Sequence, residues 1–181
     1  MIYTYSEAIR KFGTDYNLKQ LLSRKKVYKI GHGVYSTESN PKSIEIFLKT
    51  HPNIIFTLES ALYYLGISDE IPSKYIIVSD KDSTKYKEKN VVQYFCNDKR
   101  LLTLGVIKLT HTGVSIPVYN KERMLVEVLR YKNKLPYDHY KDVIRYYRDH
   151  LYEIDFELVE SYLKNFPKKD FIQRALQDEV L

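Results

Sequence analysis

Nine polar side chains crowd the first part of the sequence at spacings suited to a nucleic-acid contact: Asp15, Tyr16, Asn17, Lys19, Gln20, Arg24 and Lys25 within TDYNLKQLLSRKK, then Lys29 and His32. The carboxamides of Asn17 and Gln20 match the donor and acceptor of an adenine edge, and the Arg24 guanidinium has the geometry to fork onto guanine or clamp a phosphate. Lysines position a protein on the DNA backbone more than they read bases, which assigns Lys25 and Lys29, with His32, to phosphates or the minor groove beside the helix. For each of these charges taken singly, a solvated face is the competing explanation.

Catalytic chemistry has weaker support. Asp80-Lys81-Asp82 follows the run YIIVS and offers two carboxylates for a divalent cation, as nucleotidyl transfer requires. No Gly-Ser dipeptide precedes it anywhere in the chain, and SDKDST has the composition of a hydrophilic loop. The run VIKL supplies a lysine but no glutamate for a metal-dependent nuclease. His32, His51, His111, His139 and His150 show no H-x-H or HExxH spacing, and there is no G-x-S-x-G or glycine-rich phosphate loop. The sequence therefore predicts no catalytic residues, no metal site and no cofactor.

The elements that must position the polar cluster are legible from periodicity. Thr14 to Lys25 is expected to be a helix with Leu18, Leu21 and Leu22 on one stripe, leaving the polar residues on the other face. Val27, Ile30, Val34 and Tyr35 fit two short strands around Gly31-His32-Gly33, where glycine permits a tight reversal. Tyr3 to Phe12 reads as a preceding helix stopped by Gly13. Helix, short turn, helix and hairpin make the order of a winged helix-turn-helix, expected over residues 1–38. Charge agrees: residues 1–40 hold seven Lys or Arg against three Asp or Glu, while the other 141 hold 22 against 20.

A polar stretch, STESNP, marks the expected boundary, with a second domain over 41–181. Its pattern predicts a helix over 42–50, a brief strand at 54–56 and a helix from Thr57 to Gly66. Strands are expected at 75–79, 91–95, 106–109 and 114–119, with helices from Asn120, Pro136, Asp155 and Pro167 onward. Strands followed by helices imply an α+β domain with a small sheet and a C-terminal helical portion. The 18 tyrosines are expected to be mostly core or half-buried packing, as with Tyr140 and Tyr147 on one helical stripe, rather than base-stacking platforms. A single cysteine, Cys96, excludes an internal disulfide and is expected to be a buried thiol. The absence of an apolar run of about eighteen residues and of a signal-like N-terminus predicts a cytoplasmic protein without membrane contact.

With these pieces in order, the chain resembles the AbiEi-type antitoxins of bacterial abortive-infection toxin-antitoxin systems. The segments that carry the resemblance are VYKIGHGVYS, TLESALYYLGISDEIP, YIIVS, the hairpin ending IPVYN, and KERMLVEVLR. The resemblance implies an N-terminal domain that binds inverted-repeat operator DNA to autoregulate its operon. It also implies a C-terminal domain that counteracts a nucleotidyltransferase-type toxin, by direct contact or functionally. The alternative from another class is a non-catalytic protein-interaction or enzyme-accessory module whose winged helix docks a protein.

Overall fold

In the computed structural model, which describes residues 1–181, the chain is a mixed α+β protein with nine α-helices and two sheets. It divides into two compact units, Met1–Pro52 and Asn53–Leu181.

The first unit runs β1 (Ile2–Thr4), α1 (Tyr5–Phe12), α2 (Asp15–Ser23), β2 (Tyr28–Gly31), β3 (Val34–Ser36) and α3 (Ser43–Thr50). Its sheet has the order β1-β3-β2, antiparallel throughout, with Tyr3 opposite Tyr35. Tyr3 is thus in a strand, where sequence periodicity predicts helix. Pairing with β3 takes the backbone of residues 2–4, and a capping box at Thr4 starts the helix: Glu7 N–H donates to the Thr4 hydroxyl while Thr4 N–H donates to the Glu7 carboxylate. Ala8, Leu18, Val27 and Tyr35 form the core, with Tyr3, Ile9, Phe12, Leu21 and Leu22 packed against it. The unit extends past the expected boundary at 38–41, because α3 packs on β1 and Lys49 pairs with Glu7. The intervening STESNP is tied down locally, with the Met1 ammonium 2.7 Å from Glu38 and Glu38 N–H donating to the Ser36 hydroxyl.

The second unit contains β4 (Ile55–Phe56), α4 (Leu58–Tyr64), β5 (Tyr75–Asp80), β6 (Val91–Cys96), α5 (Lys99–Thr103), β7 (Val106–His111) and β8 (Val114–Tyr119). Then follow α6 (Lys121–Arg130), α7 (Tyr137–Asp149), a 3-10 turn at Leu151–Glu153, α8 (Phe156–Leu163) and α9 (Lys169–Glu179). The sheet order is β6-β5-β4-β8-β7, parallel for β6/β5 and β4/β8 and antiparallel for β5/β4 and β8/β7. Helix α6 is buried from Arg123 to Leu129, so it is covered on all sides rather than along one stripe, and it packs on α4, α8 and α9. Asn120 caps it through the Arg123 N–H. No helix is long and apolar enough to cross a membrane.

Candidate nucleic-acid interface

Helix α2 is built to show one face to solvent. The Thr14 hydroxyl accepts from Asn17 N–H to start it, and Leu18, only 1% exposed, anchors it in the core. Asp15, Tyr16, Asn17 and Lys19 are exposed on its outer face, Gln20 is half-buried, and Arg24 is exposed at the C-cap. Tyr16 is 68% exposed, which no core role accounts for.

Helix α2 ends in a Schellman arrangement in which Lys25 N–H donates to Leu22 O and Lys26 N–H to Leu21 O. Lys25 holds the left-handed position there, φ +54°, where glycine is the usual occupant. The motif turns Arg24, Lys25 and Lys26 outward together, and all three are exposed. In the hairpin, Gly31 pairs with Val34 across His32-Gly33, and Gly33 supplies the positive φ of +67°. Lys29 and His32 are exposed on it.

All nine side chains predicted from sequence therefore lie in the first unit, but several are already engaged. The Asn17 amide donates to Phe12 O at 3.2 Å, bracing the end of α1. Gln20 donates to the Tyr16 hydroxyl at 2.8 Å, so these two present one joined polar edge. Lys19 pairs with Asp15 at 2.7 Å, and that hydrogen bond holds the Asp15 carboxyl below the usual range. Both partners are solvent-exposed, so the pair is weak and open to exchange with a phosphate. Counted over Met1–Pro52, Lys and Arg outnumber Asp and Glu nine to four, against 20 to 19 in the other unit. Nearly all the excess positive charge therefore belongs to the smaller unit. Lys26 joins the nine predicted residues on this surface, and its place next to Lys25 is the sequence signal for it.

The second unit holds a charge cluster that the sequence reading also passed over. On α6 the Glu127 carboxylate bridges two guanidiniums: one oxygen accepts from Arg123 Nε and Nη2 at 3.0 and 2.8 Å, the other from Arg130 Nε and Nη2 at 3.1 and 2.7 Å. Arg123 and Glu127 are almost wholly buried, and Arg123 Nη1 donates to the carbonyls of Leu101 and Leu104. The signal was the R-x3-E-x2-R spacing inside KERMLVEVLR, which places all three on one helix face.

In the Asp80-Lys81-Asp82 turn, the Asp80 carboxylate accepts the Asp82 N–H at 2.9 Å and lies 3.9 Å from Lys99. Cys96 is half-buried rather than buried, because β6 is an edge strand, and its thiol donates to Asp98 O. Tyr119, Tyr140 and Tyr147 are buried in the second unit.

No protein-family model matches the sequence, and no curated protein matches it. Among solved structures, the crystal structure of the Rv2827c protein from Mycobacterium tuberculosis is similar over 99% of this chain and 72% of that chain, with a TM-score of 0.61 and 16% sequence identity. At that identity the similarity establishes a shared fold.

Proposed function

We propose that the first unit is a winged helix-turn-helix that binds duplex DNA, with α2 in the major groove and the β2-β3 hairpin as the wing. The observation that carries this reading is the outer face of α2, where Tyr16, Lys19 and Arg24 stand exposed while Leu18 fixes the helix from behind. A positioning helix, a tight turn and a second helix with a polar outward face are the parts of such a reader. The concentration of positive charge in this unit supplies the backbone attraction. Together with the AbiEi-type resemblance, this supports an antitoxin that represses its own operon through inverted repeats. The second unit then counteracts a nucleotidyltransferase-type toxin without catalysis of its own.

The test is electrophoretic mobility of the DNA upstream of the coding sequence, with the native protein and with Lys19, Gln20 and Arg24 all changed to Ala. A shift is expected for the native protein and none for the variant. If about four to six phosphates are contacted, log affinity falls against log salt with a slope of roughly −4 to −5. Equal binding by both proteins would remove α2 from the mechanism. The antitoxin role is tested by growth of cells expressing the neighbouring toxin gene with and without this protein.

A further inference from the structure

A cavity of about 310 Å³ lies in the second unit, between the C-terminal halves of β5 and β6 and one face of α6. The crevice outside the carboxyl ends of parallel strands is a common place for small-molecule sites. Arg123 and Arg130 line it with the buried carboxylate of Glu127 and the carboxylate of Asp98, two positive groups and two negative ones. The Asp98 carboxylate is already engaged, accepting the Arg100 and Leu101 N–H groups and lying 3.7 Å from the Arg100 guanidinium, which balances its charge from outside the lining. Tyr94, Tyr119 and Tyr131 also line the cavity, and burial pushes all three phenols up, so none adds negative charge.

Arg130 is the group with capacity to spare. Its Nε and Nη2 both go to one Glu127 oxygen, and its guanidinium is held 4.3 Å from the centre of the Tyr131 ring. Nη1 has no protein partner, and the side chain remains 31% exposed. A guanidinium fixed by a carboxylate and an aromatic face, on a residue that lines a cavity and has a donor to spare, is preorganised for an anion. The aromatic rings, with Val78 and Leu101, supply an apolar part of the wall, and Thr57, Asn97 and Asn165 a polar part.

We infer that this cavity binds a small organic anion, a carboxylate or phosphate on a flat apolar body, with the charged group on Arg130 and the body against Tyr94. The inference concerns the second unit alone and stands apart from the DNA-binding proposal.

Calorimetric titration of the full chain with benzoate, phenyl phosphate, inorganic phosphate and the uncharged benzamide tests it. At least one ring-bearing anion should bind, and whichever of the two is tighter identifies the head group. Benzamide should be weaker by about tenfold or more, and Arg130→Gln should weaken the anion to the same degree, as loss of a charge-assisted hydrogen bond does. Arg130→Gln leaves Glu127 balanced by Arg123 alone, so the fold is expected to survive, which circular dichroism checks. Tyr94→Leu should abolish the advantage of the tighter ring-bearing anion over inorganic phosphate. The inference is overturned if neither ring-bearing anion binds at about 10 mM, if benzamide binds as well, if Arg130→Gln binds as tightly, or if inorganic phosphate matches the tighter ring-bearing anion in the native protein.

Discussion

The Lys49 ammonium lies 2.6 Å from a carboxylate oxygen of Glu7, joining the last helix of the first unit to the first turn of α1. Glu7 also accepts the Thr4 N–H, and the two hydrogen bonds, that from Lys49 the larger, lower its pKa to about 2. A carboxyl depressed on folding contributes stability above its ordinary pKa near 4.5, and that contribution is lost as pH falls toward 2. Because Glu7 is 40% exposed, solvent screening reduces the contribution to about 0.5–1 kcal/mol. Glu7→Gln should therefore be less stable than the native protein by that amount at pH 7 and indistinguishable from it at pH 2, measured by urea unfolding.

Lys25 sits where a helix end asks for glycine. Lys25→Gly relieves the left-handed strain without touching a packed side chain and should raise stability by about 0.5–1 kcal/mol. If Lys25 meets a phosphate, the same change lowers the salt slope of DNA binding by about one. Thermal denaturation and salt-dependent binding read the two effects separately, and they are expected to move in opposite directions.

Glu127 is the one carboxylate between two guanidiniums, and it is 3% exposed. Glu127→Gln leaves the buried Arg123 without a counter-charge and should cost about 3–5 kcal/mol in chemical denaturation. A loss below about 1 kcal/mol would mean that the carbonyls of Leu101 and Leu104 suffice to hold the guanidinium.

Two glycines with similar backbone angles should respond differently to alanine. Gly33 has φ +67° and nothing within 4 Å of an added Cβ, so Gly33→Ala costs only the conformational term of about 1 kcal/mol. Gly105 has φ +77°, and an added Cβ would lie 2.7 Å from the Cβ of Arg123. Gly105→Ala must therefore push α6 away from the loop before β7 and should cost more than about 2 kcal/mol. Comparing the two melting curves separates backbone strain from steric exclusion.

Where a local pattern decides structure, the sequence was readable. The Leu18 stripe, the β8 strand and the Asn120 cap are read from residues a few positions apart, and the structure has them. The helical stripe of Tyr5, Ala8, Ile9 and Phe12 does not fix where the helix begins, and only the pairing of Tyr3 with Tyr35 on β3 takes residues 2–4 into a strand. The unit boundary lies later than STESNP for a related reason: a polar stretch ending in proline has the composition of a linker, and only the packing of α3 on β1 carries the first unit on to Pro52. Short α5 lacked the length for periodicity to register, and only its Asp98 cap marks it. The nine candidate side chains of the first unit were legible as a surface. Which of them are already bonded was not, since Asn17 to Phe12 and Gln20 to Tyr16 depend on rotamers. The α6 cluster escaped because charged residues in an amphipathic helix are ordinarily solvated, and the burial of Arg123 is imposed by neighbours distant in sequence.

The shortest strand of the larger sheet is also its central one. β4 contributes two residues, and through Phe56 opposite Val118 it joins the β5/β6 ladder to the β7/β8 hairpin. That seam joins segments far apart in sequence, Phe56 with Val118, so closing it carries a large loop-closure entropy. The β7/β8 hairpin joins neighbours in sequence and carries no such cost, so the two-residue contact at Phe56 is the costliest junction of the sheet to close.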